Sequence, residues 1–324
     1  MSDSLSLQVA VVGASGYVGE ELAVILSRHP HIRRTKYISR ALGGTAAAAH
    51  FPALRGRTEE KFSPPSPEVF SGCDAVFFAT PHAVAMNDAA RLLDSGATVI
   101  DLSPDFRLRD ESVFQEWYGE HAAPELLSRA VYGLSEAARE SLRTADLISC
   151  PGCFATAAEL ALIPLAARGM IRGAAIIDAK SGVSGAGRRA DRADLLYASQ
   201  NENFKAYALD GHRHRPEIQQ AVAEFGGDIP PIIFIPHLLP ATRGIYATVY
   251  APLKDGADCA AAVREHWADE IFVDVLEDGV PELAQVARTN RAQISARNLR
   301  PDLGLILVAL DNLQKGAAGQ AVQN

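Results

Sequence analysis

Residues 7–19 have the sequence LQVAVVGASGYVG, in which a short apolar run leads directly into three evenly spaced glycines. The apolar run predicts a buried strand, and the periodic stretch after the glycines predicts a helix. Gly13 permits a tight turn, Gly16 lets a pyrophosphate approach the main chain, and Gly19 allows close packing of the helix on the strand. The spacing is G-x-x-G-x-x-G rather than the commoner G-x-G-x-x-G. We interpret the stretch as a dinucleotide-binding unit, with an ordinary βα turn as the alternative.

Strand-like and helix-like segments alternate through the first 150 residues, which predicts a βαβ architecture with a parallel sheet. The strand-like segments there are residues 7–12, 35–39, 74–80, 97–102 and 147–149. Beyond residue 170 a second sheet is predicted from residues 174–179, 232–235, 245–251 and 303–310. We therefore expect an α/β protein of two domains. Residues 1–150 form a Rossmann-like domain completed by residues 311–324, and residues 151–310 form a central α+β domain.

The composition excludes several classes of protein. The 324 residues include 31 Lys and Arg against 39 Asp and Glu, and the net charge of −8 argues against a nucleic-acid partner. No apolar run approaches the roughly 18 residues of a membrane span, and the N-terminus lacks the basic region of a secretion signal. Four cysteines are too few for a disulfide framework, so a reducing, cytoplasmic location is expected.

The end of the second predicted strand bears on the choice of dinucleotide. An Asp or Glu at this position usually binds the ribose 2′-hydroxyl of NAD. Here the strand ends in Ser39 and Arg40, and a hydroxyl with a guanidinium suits a 2′-phosphate instead. We therefore predict NADP as the cofactor. The alternative is an exposed Ser-Arg pair on a loop.

Two of the cysteines lie in the sequence Cys150-Pro151-Gly152-Cys153, where a short strand turns into a helix. The pKa of a thiol falls at a helix N-terminus, because the helix dipole and the unpaired N–H groups stabilise the thiolate. Half a zinc site, a dithiol redox motif and a single catalytic Cys153 are the three interpretations. We favour the third and predict no metal, since a dinucleotide fold with an activated cysteine suits reduction of an acyl phosphate through a thioester.

Such chemistry also needs an acid/base, and residues 212–217 (HRHRPE) place two imidazoles and two guanidiniums beside a predicted helix. Pro216 suits the first helical position, N1. An imidazole can protonate the carbonyl oxygen as hydride arrives, while guanidiniums hold a carboxylate or phosphate. The alternative interpretation is a solvated basic turn.

Six motifs, taken in order along the chain, together resemble the N-acetyl-gamma-glutamyl-phosphate reductase family, which is grouped with the aspartate-semialdehyde dehydrogenases. The motifs are GASGYVG (13–19), DLSPDFRL (101–108), PGCFATA (151–157), SGVSGAGR (181–188), NENFKAY with GHRHRPEI (201–218), and DNLQKGAAGQAVQN (311–324). The resemblance implies a catalytic domain of the semialdehyde dehydrogenase type and a homo-oligomer, either a dimer or a tetramer.

The resemblance also implies roles for individual residues. Cys153 is the expected nucleophile and His214 the expected acid/base, with His212 as a substrate contact or as the alternative acid/base. The expected substrate-binding residues are Arg107, His212, Ser184 and Arg213. The expected cofactor-binding residues are Gly13, Ser15, Gly16, Tyr17, Val18, Gly19, Ser39, Arg40, Thr80, Pro81, Ser103, Ser181, Gly182 and Asn312.

The expected reaction is NADPH-dependent reduction of N-acetyl-gamma-glutamyl phosphate to N-acetylglutamate 5-semialdehyde and phosphate, a step of arginine biosynthesis. Residues 50–62 resemble instead a branch of the group that reduces an aminoadipyl phosphate on a carrier protein, so that substrate is one alternative. Aspartyl phosphate is a second. An alternative from a different class is a non-catalytic NADP-binding sensor with a redox-active Cys150 and Cys153.

Overall fold

The computed structural model describes residues 6–188, 197–227 and 229–324. The chain divides into two compact units between Cys150 and Pro151. The first unit comprises the residues up to Cys150 together with Ala318–Asn324, and the second comprises Pro151–Ala317. Residues 311–317, which the sequence analysis assigned to the first domain, therefore group with the second unit.

The first unit contains a sheet of seven parallel strands in the order β3-β2-β1-β4-β5-β7-β6. The strands are β1 (Leu7–Val12), β2 (Ile32–Ile38), β3 (Phe62–Ser63), β4 (Ala75–Phe78), β5 (Thr98–Asp101), β6 (Val131–Tyr132) and β7 (Leu147–Ser149). The helices up to this point are α1 (Tyr17–Leu26), α2 (Ala47–His50), α3 (Ala85–Asp94), α4 (Glu111–Tyr118) and α5 (Ser135–Leu142).

Both faces of this parallel sheet are buried under separate hydrophobic cores. Val9 and Val11 of β1 point into one core, and Ala10 and Val12 point into the other, as the two-residue period of a strand requires. Parallel sheets covered on both faces bind their ligands at the carboxyl ends of the strands. The first unit therefore confirms the predicted Rossmann-like architecture.

The second unit contains a mixed sheet of seven strands in the order β12-β13-β14-β11-β8-β10-β9. The strands are β8 (Ile176–Ser181), β9 (Lys205–Ala206), β10 (Ile233–Leu238), β11 (Ile245–Pro252), β12 (Val273–Val275), β13 (Ala292–Arg300) and β14 (Leu303–Leu310). The helices are α6 (Cys153–Ala166), α7 (Tyr197–Gln200), α8 (His214–Gly226), α9 (Cys259–His266) and α10 (Leu283–Val286). A π-helical turn (Gln314–Ala318) follows β14, and the last helix, α11 (Gly319–Gln323), belongs to the first unit and packs on α1.

Helix α6 forms the centre of the second unit. Every residue from Phe154 to Ala166 is buried, because α6 packs on α8, α9, β11 and β14. The Trp267 indole N–H donates to the Leu160 carbonyl oxygen at 2.9 Å. A helix that is apolar on all sides is stable only when surrounded in this way, so the position of its first residue, Cys153, is set by the core.

The predicted strands are all present, with ends shifted by a few residues. Five strands were missed. Strands β3, β6, β9 and β12 are only two or three residues long, and the second half of β13, with the sequence ARNLR, is largely exposed and has no apolar run. The placement of Pro216 at N1 was wrong. Helix α8 begins at His214, which puts Pro216 at the third helical position, where its missing N–H is still tolerated.

Within the described ranges, no helix is both long enough and apolar enough to span a membrane.

Candidate active site

The glycine loop between β1 and α1 combines two glycines that the fold requires with one that it does not. Gly13 has φ +77°, and a Cβ there would lie 2.3 Å from the Ala79 carbonyl oxygen. A Cβ on Gly19 would lie 2.6 Å from the Ala14 Cα. A Cβ on Gly16 would meet only the Gly13 carbonyl oxygen, at 3.5 Å. Packing alone therefore does not explain Gly16, and the absence of its side chain leaves the start of α1 open to an anion.

Other predicted cofactor residues lie around this loop. The Ser39 hydroxyl, at the end of β2, donates to the Ser15 hydroxyl in the glycine loop at 3.1 Å. Arg40 follows and is exposed. Tyr17 and Val18 form the first turn of α1. The structure thus brings the glycine loop and the end of β2 together, as binding of a dinucleotide requires.

Thr80 and Pro81 lie in the turn that follows β4. The Thr80 hydroxyl oxygen is buried and has no hydrogen-bond partner among the residues that the structure describes. Its methyl carbon would be 3.1 Å from a Cβ on Gly13, so this turn packs directly against the glycine loop. Buried hydroxyls are normally hydrogen-bonded, and a nucleotide in the loop would supply a partner. The residues around the glycine loop therefore fit a dinucleotide.

Polar side chains of the DLSPDFRL motif (101–108) are hydrogen-bonded to the main chain of the first unit. The Ser103 N–H donates to the Asp101 carboxylate at 2.8 Å, and Ser103 in turn accepts from the Asp105 N–H at 3.3 Å. Burial, and secondarily the nearby Asp105, raise the pKa of Asp101 well above its usual range.

Arg107 is mostly buried in the first unit. Its Nε donates to the Cys150 carbonyl oxygen at 2.9 Å, and its Nη2 donates to the Leu102 carbonyl oxygen at 2.7 Å. These bonds hold main chain that leads towards the nucleophile. Binding of phosphate by Arg107 stays a prediction.

Cys150 and Cys153 differ sharply in environment. Cys150 is buried, and burial raises the pKa of its thiol to about 12. Cys153 is partly exposed and is the first residue of α6, preceded by Gly152, which has no side chain to cap the helix. The helix N-terminus therefore stabilises a thiolate at Cys153.

Helix α8 places two side chains against the main chain that precedes Cys153. A Cβ on Gly152 would lie 2.3 Å from Nε2 of His214, so the imidazole occupies the space that any other residue would fill. The wholly buried Glu217 accepts a hydrogen bond from the Gly152 N–H at 2.7 Å. His214 and Glu217 lie one helical turn apart on the same face. The structure thus brings the predicted nucleophile and acid/base together within the second unit.

The two histidines of this cluster are not equivalent. The main-chain N–H of His214 donates to Nδ1 of His212 at 3.1 Å. The ring proton of neutral His212 therefore lies on Nε2. Burial, and then the neighbouring His214, lower the pKa of His212 to about 3. His212 is therefore neutral near pH 7. Tyr207 lies beside His212, and its pKa is raised well above the usual range by burial and by the nearby Cys153.

Ser181, Gly182, Ser184 and Asn312 form one loop cluster in the second unit. Asn312 donates to the Ser184 hydroxyl at 3.0 Å and accepts from the Gly244 N–H at 2.7 Å. The Ser181 hydroxyl donates to the Gly182 carbonyl oxygen at 2.9 Å. Asn312 lies between β14 and the π-helical turn. Arg213 precedes α8 as its N-cap residue.

Three residues beside the nucleophile were not singled out from the sequence: Glu217, Tyr207 and Gly316. A Cβ on Gly316, in the π-helical turn, would lie 2.7 Å from the Cys153 Cβ. The spacing of His214 and Glu217 could have indicated a shared helix face. Tyr207 and Gly316 lie in the motifs at 201–207 and 311–324, but only the folding of the second unit brings them close to Cys153. In the described part of the chain, no three His, Cys, Asp or Glu side chains converge as a metal site would require.

The fold and its two units match a known class of protein. The semialdehyde dehydrogenase NAD binding domain matches residues 8–145, and the semialdehyde dehydrogenase dimerisation domain matches residues 153–312. A crystal structure of aspartate semialdehyde dehydrogenase II from Vibrio cholerae is similar with a TM-score of 0.76 at 17% identity, over 98% of this chain and 97% of that one. The structure of a probable aspartate-semialdehyde dehydrogenase from Pseudomonas aeruginosa is similar with a TM-score of 0.73 at 25% identity, over 98% of this chain and 96% of that one. These matches define the semialdehyde dehydrogenase class.

Sequence similarity is greater to one group within this class. Proteins named N-acetyl-gamma-glutamyl-phosphate reductase from Halorhodospira halophila and Nitrosomonas eutropha are each 48% identical to this chain, over 98% of it and 94% of their own length. The protein of that name from Neisseria meningitidis serogroup C is 46% identical, over 99% of this chain and 94% of its own length. The chain belongs to the N-acetyl-gamma-glutamyl-phosphate reductase family, which confirms the resemblance found in its motifs.

Selective alkylation tests the contrast between the cysteines. At about pH 7.5, iodoacetamide is expected to modify Cys153 first, because alkylation needs an accessible thiolate. Burial raises the pKa of Cys150 to about 12 and of Cys259 to about 11, and it also raises the pKa of Cys73. Mass spectrometry of peptides locates the label. Cys153→Ser should abolish the rapid first phase of alkylation, and Cys259→Ser should leave that phase unchanged. A rapid phase that persists in Cys153→Ser contradicts the assignment.

Proposed function

We propose that the protein reduces N-acetyl-gamma-glutamyl phosphate to N-acetylglutamate 5-semialdehyde and phosphate with NADPH, a step of arginine biosynthesis. The observation that carries the proposal is the packing of His214 and Glu217 against Gly152, immediately before a partly exposed Cys153 at a helix N-terminus. Relatives at 45–48% identity are named for this reaction, which favours it over the aminoadipyl, aspartyl and redox-sensor alternatives.

Cys153 opens the reaction as the nucleophile. Its thiolate attacks the acyl carbon of the acyl phosphate, the carbon–oxygen bond to phosphate breaks, and inorganic phosphate leaves with the bonding electron pair. The acyl group is then held as a thioester. Gly152 leaves the space that the His214 imidazole fills, and glycine at 316 avoids a clash with the side chain of Cys153, because a Cβ there would lie 2.7 Å from the Cys153 Cβ.

His214 is the acid of the second step. A nicotinamide cofactor, when bound at the glycine loop, would supply the hydride that reduces the thioester carbon. The imidazolium of His214 gives its proton to the oxygen of the resulting thiohemiacetal, and return of that proton to His214 expels the Cys153 thiolate and releases the aldehyde. His212 does not fill this role near pH 7, because its pKa is lowered to about 3. Glu217 fixes α8, and hence His214, to the main chain at Gly152.

The preference for NADPH is assigned to Ser15, Ser39 and Arg40. The two hydroxyls are hydrogen-bonded to each other at the carboxyl end of β2, and the exposed Arg40 follows. A guanidinium binds a phosphate dianion strongly, whereas no carboxylate is present at this strand end to bind a free ribose 2′-hydroxyl.

The anionic substrate requires positive charge on an acidic protein. Arg213 at the start of α8 and the Ser184 hydroxyl are assigned to the substrate in the second unit, and Arg107 is assigned to its phosphate. His212, neutral and protonated on Nε2, offers one further donor.

A second copy of the chain is the proposed partner of the open face of the second sheet. Alternate residues of β8 and β10 on this face are at least partly exposed, and Ile176 and Ile233 are paired in register and 41% and 47% exposed. Exposed aliphatic side chains on a sheet face mark an interaction surface. This unit matches the semialdehyde dehydrogenase dimerisation domain.

Reverse turnover tests the reaction and its residues. Oxidation of N-acetylglutamate 5-semialdehyde should require phosphate or arsenate, and aspartate semialdehyde should be a poor substrate. Cys153→Ser should retain less than about 3% of wild-type activity. His214→Asn should lower kcat by about 10²–10⁴-fold. His212→Asn should act mainly on KM for the acyl substrate. A large loss of kcat in His212→Asn with little in His214→Asn would reverse the assignment.

Cofactor preference tests the role of Arg40. Arg40→Ala should raise KM for NADPH by about tenfold and leave KM for NADH within about twofold, because only NADPH has the 2′-phosphate. Arg33→Ala is the matched control: Arg33 is exposed at the opposite, amino end of β2. Equal changes for both cofactors in Arg40→Ala would count against the assignment.

Light scattering after gel filtration tests the proposed interface. Ile233→Asp should shift the protein from oligomer to monomer, because a carboxylate would be desolvated in a packed sheet face. Ile271→Asp is the control, since Ile271 is 74% exposed and lies outside the sheet. An oligomer that survives Ile233→Asp contradicts this choice of surface.

A further inference from the structure

The turn between β4 and α3 has an unusual backbone. Ala83 adopts φ +62°, in the left-handed region where a Cβ is unfavourable and glycine is the usual residue. A non-glycine residue stays in this region only when its surroundings hold it there. The source of that constraint is a carboxylate from a different segment.

Asp105 supplies the constraint. Its Oδ1 accepts from the Ala83 N–H at 2.8 Å, and its Oδ2 accepts from the Val84 and Met86 N–H groups at 3.2 and 3.1 Å. Val84 is the N-cap residue of α3 and has no side-chain oxygen to cap the helix. The wholly buried Asp105 therefore takes the place of an N-cap side chain and at the same time holds the turn at Ala83.

Asp105 is itself held in position by a buried histidine. Nδ1 of His121 accepts from the Ala123 N–H at 3.0 Å, so the ring proton lies on Nε2 and is donated to the Asp105 carbonyl oxygen at 2.7 Å. Both the main chain and the side chain of Asp105 are thus fixed.

The turn that Asp105 holds forms one wall of the glycine loop. A Cβ on Gly13 would lie 2.3 Å from the Ala79 carbonyl oxygen and 3.1 Å from the Thr80 methyl carbon. The buried Thr80 hydroxyl has no partner among the described residues. A shift of the turn therefore moves both the wall of the glycine loop and the hydroxyl offered to a ligand there.

We propose that Asp105 is a positioning residue for the nicotinamide cofactor, because it holds the strained turn at Ala83 and thereby the Thr80 wall of the glycine loop. The inference rests on the proposed binding of the cofactor by that loop. Asp105 does not touch the cofactor. It acts through the backbone of residues 79–83, and its removal should weaken cofactor binding while leaving the chemistry at Cys153 unchanged.

Titration of the full-length protein with NADPH, followed by nicotinamide fluorescence without substrate, tests the proposal. Asp105→Asn should raise the dissociation constant by about tenfold, since an amide cannot accept from three N–H groups as a carboxylate does. Saturating NADPH should restore a kcat close to wild type. Ala83→Gly added to Asp105→Asn should recover at least about threefold of the lost affinity, because glycine adopts the left-handed conformation without help.

Asp110→Ala is the matched control. Asp110 caps α4 in the same unit and accepts from the Ser112 and Val113 N–H groups. Its loss therefore removes a comparable helix cap, but from a helix that is not joined in sequence to the glycine loop or to the turn at Ala83. It should lower Tm without changing the NADPH dissociation constant. If Asp105→Asn binds NADPH as tightly as wild type, or if Ala83→Gly recovers none of the loss, the positioning role is refuted. Wild-type protein that binds neither NADPH nor NADH would refute the proposed function instead.

Discussion

The hydrogen bond from the Gly152 N–H to the buried Glu217 carboxylate joins the two helices on which the chemistry of the second unit depends. Breaking it would leave a buried carboxylate without that donor, and such a loss costs roughly 1.5–3 kcal/mol for a charged partner. The same main-chain segment accommodates His214 only because residue 152 has no Cβ. One short stretch of backbone therefore fixes the start of α6, where Cys153 lies, and the position of the imidazole beside it.

Buried carboxylates serve the main chain in both units. Glu217 accepts from Gly152 in the second unit, and Asp105 accepts from the turn before α3 in the first. Each carboxylate is nine-tenths or more buried, and each accepts hydrogen bonds from the main chain: one N–H at Glu217 and three at Asp105. Such bonds compensate the loss of hydration and fix backbone geometry at the same time. Asp101, also buried, accepts from the Ser103 N–H, and burial followed by the nearby Asp105 raises its pKa.

The sequence predicted most of the fold because strands β1, β4, β5 and β7 are short apolar runs with clear turn residues between them. Strand β13 was not predicted, since half of it is polar and its identity as a strand comes from pairing with β14. Cys153, His212 and His214 could be singled out because the chemistry of a thiol and of imidazoles is evident from residue type. Tyr207 and Gly316 could not, because their proximity to Cys153 arises from segments distant in sequence. The main-chain roles of Asp105 and Arg107 likewise depend on contacts between segments.

Cys150 and Cys153 show why position within the fold, rather than residue type, decides reactivity. Only Pro151 and Gly152 lie between them, yet Cys150 follows β7 in the buried core of the first unit and Cys153 begins α6 in the second. The Cys150 N–H donates to the Asp101 carbonyl oxygen at 2.7 Å, and its carbonyl oxygen accepts from Arg107, so its backbone is held while its thiol stays protonated. Burial favours the neutral thiol at Cys150, whereas the dipole of α6 favours the thiolate at Cys153. The Pro151-Gly152 turn therefore separates a buried thiol from a partly exposed thiol at a helix N-terminus.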